Sequence, residues 1–142
     1  MHWDKLHNIM FVPVAALALL LLAAGYFMPD IRRAMIYQPR ADRIEIAMDE
    51  LAGHQRGMLR AKGKFLAFDA SEAPPRLKAL GVDLANWPSD DFLFDAAVQP
   101  NKHLRLRALP RPDAVRDMRV EARMYVAELS PAGAVTSRGW NP

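Results

Sequence analysis

Four histidines are the side chains best suited to acid–base or metal chemistry, but their spacing does not assemble a site. They occupy positions 2, 7, 54 and 103. A helical metal site pairs two histidines about one turn apart, and no two of these four have that spacing. The chain contains no cysteine, which excludes disulfides, thiolate catalysis and thiolate-ligated zinc. The sequence therefore predicts no metal site and no cofactor.

Carboxylates gather in Ser89-Asp90-Asp91 and at Asp95. Calcium prefers such oxygen ligands, but the segment lacks the regularly spaced ligands of a calcium loop. Solvated charge or the cap of a helix is the simpler interpretation. Nor can a nucleophile, a base and an orienting residue be assembled from the order of residues in the chain. The sequence therefore predicts no catalytic residue and a protein that is not an enzyme.

The stretch from Gly53 to Gly57 is bounded by glycines, as a phosphate-binding loop is. It lacks both the strand that precedes such a loop and the Gly-Lys-Ser/Thr sequence that ends it. We therefore predict no bound nucleotide and no other small-molecule substrate.

Arginines form the most distinctive polar pattern. Arg105 and Arg107 alternate with leucines, and Arg111 follows Pro110. Such a ladder can contact lipid headgroups or an acidic protein partner, or it is simply the solvated face of a strand. We take Arg105, Arg107 and Arg111 as candidate partner-binding residues. The net charge of only +3 and the absence of a recognised motif argue against a nucleic-acid partner.

An apolar run without any charged residue extends from Ile9 to Met28. Its 20 residues match the roughly 30 Å thickness of the hydrocarbon core when helical. Trp3 on one side and Tyr26-Phe27 on the other supply interfacial aromatic rings. We predict a tail at 1–8 and a single membrane-spanning helix at 9–28, with the lipid bilayer as a partner.

Two alternatives to this topology stay open. A cleaved secretory signal would have a shorter apolar region and a more basic leader, and Leu22-Ala23-Ala24 before Gly25 makes a poor cleavage site. The arginines after the span favour a cytoplasmic domain, whereas a very short N-terminal tail is compatible with export of everything that follows. Charge alone does not settle which side of the membrane the domain occupies.

Residues 29–64 carry a helical pattern. Pro39 suits a first turn, apolar residues recur at Ile44, Met48 and Leu51, and Gly63 marks the end. Residues 65–91 form a linker, in which Pro74-Pro75 precedes a short helix.

Period-two alternation takes over in residues 92–142, which we predict to be an antiparallel meander of three or four strands. The first strand is Phe92–Val98 and the second carries Leu104 and Leu106 inward. The longest is predicted from Met118 to Val126, with Met124 and Val126 inward and Tyr125 outward, and a short last strand is predicted at 134–136. The fold class is α+β, because the helix and the sheet each need the other to cover an apolar face.

This order of a membrane helix, an amphipathic helix, a loop with Pro74-Pro75 and a meander ending in Gly139-Trp140 resembles the type IV pilin and pseudopilin family. The resemblance implies assembly: membrane helices pack together while the sheets meet neighbouring subunits, and no catalytic residue is required. The chain departs from the family where Met10 precedes Phe11 and where Ala15 stands in place of the family's glutamate. A non-classical minor or accessory subunit of a pilus-like filament or type II secretion machine is therefore expected. The resemblance also implies the inner membrane of a bacterial-type cell with the domain on the periplasmic side, and the cytoplasmic orientation is the alternative.

A second function is compatible with the same sequence, namely a tethered adaptor that binds a protein partner through Arg105, Arg107 or a sheet edge without forming a filament. Replacement of Gly25, a small residue within the span, distinguishes the two. It should abolish assembly of a filament subunit and spare partner binding by an adaptor.

Overall fold

A computed structural model describes the backbone of residues 3–141 and the side chains of residues 11–141. The chain divides into two units, residues 1–35 and residues 36–142. The helices are α1 (Trp3–Arg32), α2 (Gln38–Lys62), α3 (Ala73–Leu80) and α4 (Pro112–Arg116), with a π-helical turn at Arg33–Tyr37 and a 3-10 turn at Leu84–Asn86. The strands are β1 (Phe92–Val98), β2 (Leu104–Pro110), β3 (Met124–Leu129) and β4 (Val135–Asn141).

The first unit is the apolar helix α1. From Phe11 to Ile31 every side chain except that of Ala15 is exposed. α1 is long and apolar enough to cross a membrane and lies near the N-terminus. The predicted span at 9–28 falls within it, although the side chain of Trp3 and those of the first two span residues lie outside the described side chains. Pro29 lacks the N–H that would bond to the carbonyl of Gly25 one turn earlier.

Helix α2 has the predicted ends and the predicted buried stripe. Pro39 lies in its first turn, and Gly63 ends it in the left-handed conformation with φ of 71°, a conformation that glycine adopts at little cost. Ile44, Met48 and Leu51 are at most 1% exposed. Gly53 and Gly57 both lie within α2.

One polar residue completes this stripe. Gln55 is fully buried, and its Nε2 donates to the carbonyl oxygen of Leu66 at 2.8 Å while its Oε1 accepts from the Leu66 N–H at 3.0 Å. The amide thus satisfies both backbone groups of Leu66 where the chain leaves α2. This clamp between helix and linker was not predicted from the sequence.

The four strands form one antiparallel sheet in the order β1-β2-β3-β4, which confirms the predicted meander and the α+β class. α2 packs on its inner face together with α3. Most of the inward side chains of the first three strands are at most 4% exposed: Phe92, Phe94, Ala96, Leu104, Leu106, Ala108, Tyr125, Ala127 and Leu129.

The predicted third strand was wrong in extent and in its buried face. After α4 ends at Arg116 the chain turns, with Met118 in the left-handed region at φ of 57°, and residues 118–123 belong to no strand. β3 begins at Met124, and its pairing sets Ala127 opposite Leu106 and Leu129 opposite Leu104. Because residues directly opposite each other share a face, Tyr125 points inward and Val126 outward.

The two edges of the sheet differ. Phe68 exchanges backbone hydrogen bonds of 2.9 Å with Ala96 and so covers part of the β1 edge. β4 is seven residues long, longer than predicted, and has a neighbouring strand on only one side among the described residues. Its pairing with β3 is irregular between Glu128 and Leu129.

Replacement of Gln55 by alanine should lower the free energy of unfolding by about 2–4 kcal/mol, because it leaves a cavity and two buried backbone groups of Leu66 without partners. The measurement is chemical denaturation of the full chain in detergent micelles, followed by tryptophan fluorescence. Gln38→Ala is the control, since Gln38 is exposed and should contribute less than about 0.5 kcal/mol. Equal losses for both variants would contradict the role given to Gln55.

Candidate partner-binding face

The outer face of the sheet, turned away from α2, holds an open groove of about 490 Å³. Its floor carries Met124, Val126 and Gly139, and its sides carry Arg105 and Arg107. We call this the outer groove; its remaining lining residues are Glu128, Ser137, Arg138 and Asn141.

Gly139 keeps this groove open. It stands opposite Val126 in the pairing of β3 with β4, and apart from its chain neighbours no atom lies within 4 Å of the position that a Cβ would occupy. A larger residue there would project over Val126. The glycine therefore leaves an apolar strip of the sheet accessible between polar sides.

Arg107 is fixed in the groove by a two-pronged ion pair with Asp95, directly opposite on β1. Its Nε and one terminal nitrogen donate to the two carboxylate oxygens at 2.9 and 2.5 Å. Asp95 is only 8% exposed, so its charge depends on this partner. The hydrogen bonds from Arg107 to Asp95 raise the pKa of the guanidinium, which is charged at any pH of interest.

Arg105 is held more loosely. Its Nε lies 3.5 Å from a carboxylate oxygen of Glu128 on β3, and the two side chains are 42% and 31% exposed. An ion pair that is so exposed contributes little to stability. Arg105 therefore remains available to an incoming carboxylate, whereas Arg107 is committed to Asp95.

The third predicted arginine is not part of the outer groove. The Nε of Arg111 donates to the carbonyl oxygen of Ser89 at 2.7 Å. Arg111 also lines a separate apolar depression of about 270 Å³ with Leu77, Phe92 and Phe94. The structure thus brings Arg105 and Arg107 together and sets Arg111 apart.

The remaining candidate, Gly25, lies in the other unit of the chain, within α1. No neighbouring side chain lies within 4 Å of the position that a Cβ would occupy there. A larger residue at this position therefore fits the single helix, and its effect would be felt only where another helix packs against α1.

Two of the three carboxylates considered as calcium ligands, Asp91 and Asp95, belong to separate ion-pair clusters. Asp91 pairs with Arg40 and with Arg119, the latter at 3.0 Å. Asp95 pairs with Arg107. Among the described residues no group of three or more histidine, aspartate or glutamate side chains could hold a metal ion.

Side chains of β4 tie the groove's open edge to α2. The indole N–H of Trp140 donates to Glu45 at 2.9 Å, and Arg138 donates to Asp49 at 2.9 Å. Trp140 also meets the ring of Tyr125 edge to face, with centroids 5.2 Å apart. Burial raises the pKa of Tyr125, and the nearby carboxylates of Asp49 and Glu45 raise it further.

Most of the groove was missed in the sequence because Met124 and Val126 were assigned to the core. The strand pairing decides which set of alternating residues faces outward, and the alternating pattern of the sequence does not by itself reveal that pairing. Gly139 next to Trp140 was noticed, but only the pairing with Val126 gives it a role.

Comparisons of the chain with protein-family models, with curated proteins and with solved structures found no match.

Arg107→Met should lower the free energy of unfolding by about 2–4 kcal/mol, because it strands the buried carboxylate of Asp95. Arg105→Met is the matched control on the same strand, and we expect a loss below about 1 kcal/mol because its ion pair is exposed. Denaturation of the full chain in detergent measures both. A larger loss for Arg105→Met than for Arg107→Met would contradict the assignment.

Tyr125 should make the protein less stable in alkali. The folded pKa of Tyr125 is raised above that of the unfolded chain, so its contribution is complete below about pH 10 and is lost as the pH rises through the folded value. Urea midpoints of the full chain in detergent, compared between about pH 8 and about pH 11, measure the loss. Tyr125→Phe should show a smaller loss, whereas Tyr37→Phe keeps Tyr125 and should behave as the parent. An unchanged loss in Tyr125→Phe would contradict this origin.

Proposed function

We propose that this chain is a non-enzymatic, membrane-anchored structural or accessory subunit of a pilus-like filament or secretion machine, and that it acts by assembling with other proteins. The observation that carries the proposal is that a helix with exposed apolar side chains precedes a folded α+β unit whose sheet has an open outer groove. The architecture, an apolar N-terminal helix followed by a small antiparallel sheet, is like that of a pilin.

Each unit supplies one part of this function. The uncharged stretch of α1 from Ile9 to Met28 is long enough to cross a bilayer, where a helix is stable because its backbone bonds to itself and its side chains are apolar. In the sheet unit, the outer groove offers an apolar floor and arginine sides to another protein. We place the sheet unit on the periplasmic side of a bacterial-type inner membrane.

The departure from the pilin processing pattern supports an accessory role over that of a major subunit. Met10 precedes Phe11, and position 15 holds alanine. A subunit without the family's glutamate lacks the carboxylate that, in the family, meets the N-terminal amine of a neighbour. Its assembly must then rely on other contacts, and the outer groove is a suitable one.

The open β4 edge favours a second candidate function, a tethered adaptor. An unpaired strand edge can accept a strand from a partner protein, and β4 is paired on one side only among the described residues. An adaptor would bind a partner of different sequence in fixed proportion. A filament subunit would form assemblies of increasing size.

The test uses the full chain in the membranes of the cells that make it. Membranes are washed at alkaline pH, solubilised in mild detergent and analysed by native electrophoresis. We expect retention in the washed membrane and assemblies larger than the single chain, which Val126→Arg should reduce several-fold by placing a charge on the groove floor. Ala61→Arg, on the exposed end of α2, is the control and should leave the assemblies intact.

Two outcomes would overturn the proposal. Release of the chain by the alkaline wash would remove the membrane anchor. Migration of the parent as a single chain would remove assembly. If assemblies form, Gly25→Leu separates the candidates, because it should disrupt a filament packed through membrane helices and spare an adaptor complex.

A further inference from the structure

The exposed side of α2 carries an apolar residue in an acidic surround. Ile46 is 70% exposed, and it lies two residues from Ile44 and from Met48, about 200° around the helix from each. It therefore projects directly away from the sheet. Four carboxylates lie within one turn of it, and all are exposed: Asp42, Glu45, Asp49 and Glu50. The cation within the same turn, Arg43, donates to the carbonyl oxygen of Asn86 at 2.9 Å. We call Ile46 and these carboxylates the acidic ridge.

These carboxylates can accept further hydrogen bonds in addition to their contacts within the chain. Asp49 pairs with Arg138 at 2.9 Å, but the two side chains are 57% and 58% exposed. Glu50 lies 3.4 Å from His54, and Glu45 accepts from Trp140. A carboxylate offers about four acceptor positions, and exposed pairs of this kind exchange partners at little cost.

The outer groove is the complement of this ridge. Beside its apolar floor it presents Arg105 and Arg107 together with Glu128, whereas the side chain of Arg138 turns to Asp49 of α2. Its volume of about 490 Å³ readily admits a branched aliphatic side chain. Arg105, whose own ion pair is loose, stands where a carboxylate of the ridge would arrive.

The ridge and the groove lie on opposite sides of the same two-layer unit. The groove floor and Arg105 face away from α2, and Ile46 points away from the sheet. Ile46 therefore cannot reach the groove floor of its own copy. A second copy, shifted by one unit thickness, would place its ridge against the groove of the first.

We propose that the occupant of the outer groove is a second copy of this chain, with Ile46 seated on Met124 and Val126 and a ridge carboxylate against Arg105. The inference rests on the proposed function and names the partner. The contact is heterologous, since different surfaces meet, so each added copy exposes a fresh groove and a fresh ridge. Repetition of the contact generates a filament or a ring.

The apolar floor of the groove distinguishes this partner from a lipid headgroup, since both carry negative charge. The ridge brings both carboxylates and an apolar side chain, which match the sides and the floor of the groove together. A headgroup would match the arginines alone. A contact driven by both terms should weaken with salt and with loss of Ile46.

Disulfide trapping tests the contact, because the chain has no cysteine of its own. Full-length Ile46→Cys and full-length Val126→Cys, carrying tags of different size, are reconstituted together in vesicles of phosphatidylethanolamine and phosphatidylglycerol and oxidised. We expect the mixed disulfide to exceed either symmetric one several-fold. Ala61→Cys with Val126→Cys is the matched control and should give background cross-linking. Mixed disulfide at the control level, or a dominant symmetric product, would overturn the inference.

A second measurement does not depend on cysteine geometry. Ile46→Asp removes the apolar side chain and Val126→Arg closes the groove, so each variant alone should fail to grow beyond the single chain. A mixture of the two still contains one intact ridge and one intact groove, and it should form pairs that grow no further. If the mixture stays as single chains while the parent assembles, the contact is not heterologous and the inference is wrong.

The outcomes for the two proposals can be told apart. Assembly in native membranes that is lost in Val126→Arg, without the mixed disulfide, would keep the proposed function and identify a partner other than this chain. Absence of any assembly of the parent chain would overturn both.

Discussion

Burial of the α2 stripe on the inner face of the sheet is the interaction on which the rest of the structure depends. Ile44, Leu51, Leu104, Leu106 and Leu129 are all fully buried there. Because alternate residues of a strand point to opposite faces, placing these leucines inward also determines what points outward. The arginines of β2 and the apolar floor of the outer groove are thus positioned by the packing of the core, and the candidate site needs no separate support from loops.

The buried polar residues show a second constraint, because each buried polar group needs a hydrogen-bonding or ionic partner. The side-chain amide of Gln55 forms hydrogen bonds with both backbone groups of Leu66, and Arg107 forms an ion pair with the carboxylate of Asp95. These pairs join different segments of the chain, so they select one arrangement of linker, helix and sheet over alternatives with similar apolar burial. The exposed ion pairs of Arg105 and Asp49 contribute little to stability, so these side chains can exchange partners. The division between committed and available charges is what distinguishes a residue that maintains the fold from one that can meet another molecule.

The sequence predicted those elements whose local pattern is compatible with only one structure. The apolar run of α1, the stripe and glycine end of α2, the first two strands and the α+β class all follow from local periodicity and capping. The prediction of the third strand failed because residues 118–126 alternate cleanly. The pattern alone cannot tell which alternate set is buried, nor that the chain turns at Met118 after α4 and begins the strand only at Met124. Gln55 was missed because a buried amide is recognised only by its partner. The pairing of Gly139 with Val126, and hence the groove, likewise required the register of the sheet.

The ties from β4 back to α2 have a consequence for the order in which the chain matures. Arg138 and Trp140 bond to residues 89 and 95 positions earlier in the sequence, and β4 completes the sheet. During synthesis α1 emerges first and the strand that closes the domain emerges last. The apolar helix can therefore be delivered to its membrane while the sheet unit is still incomplete, and contacts of such long sequence separation form slowly. A polypeptide released before β4 would present an uncovered β3 edge, so truncated products should be substrates for quality-control proteases.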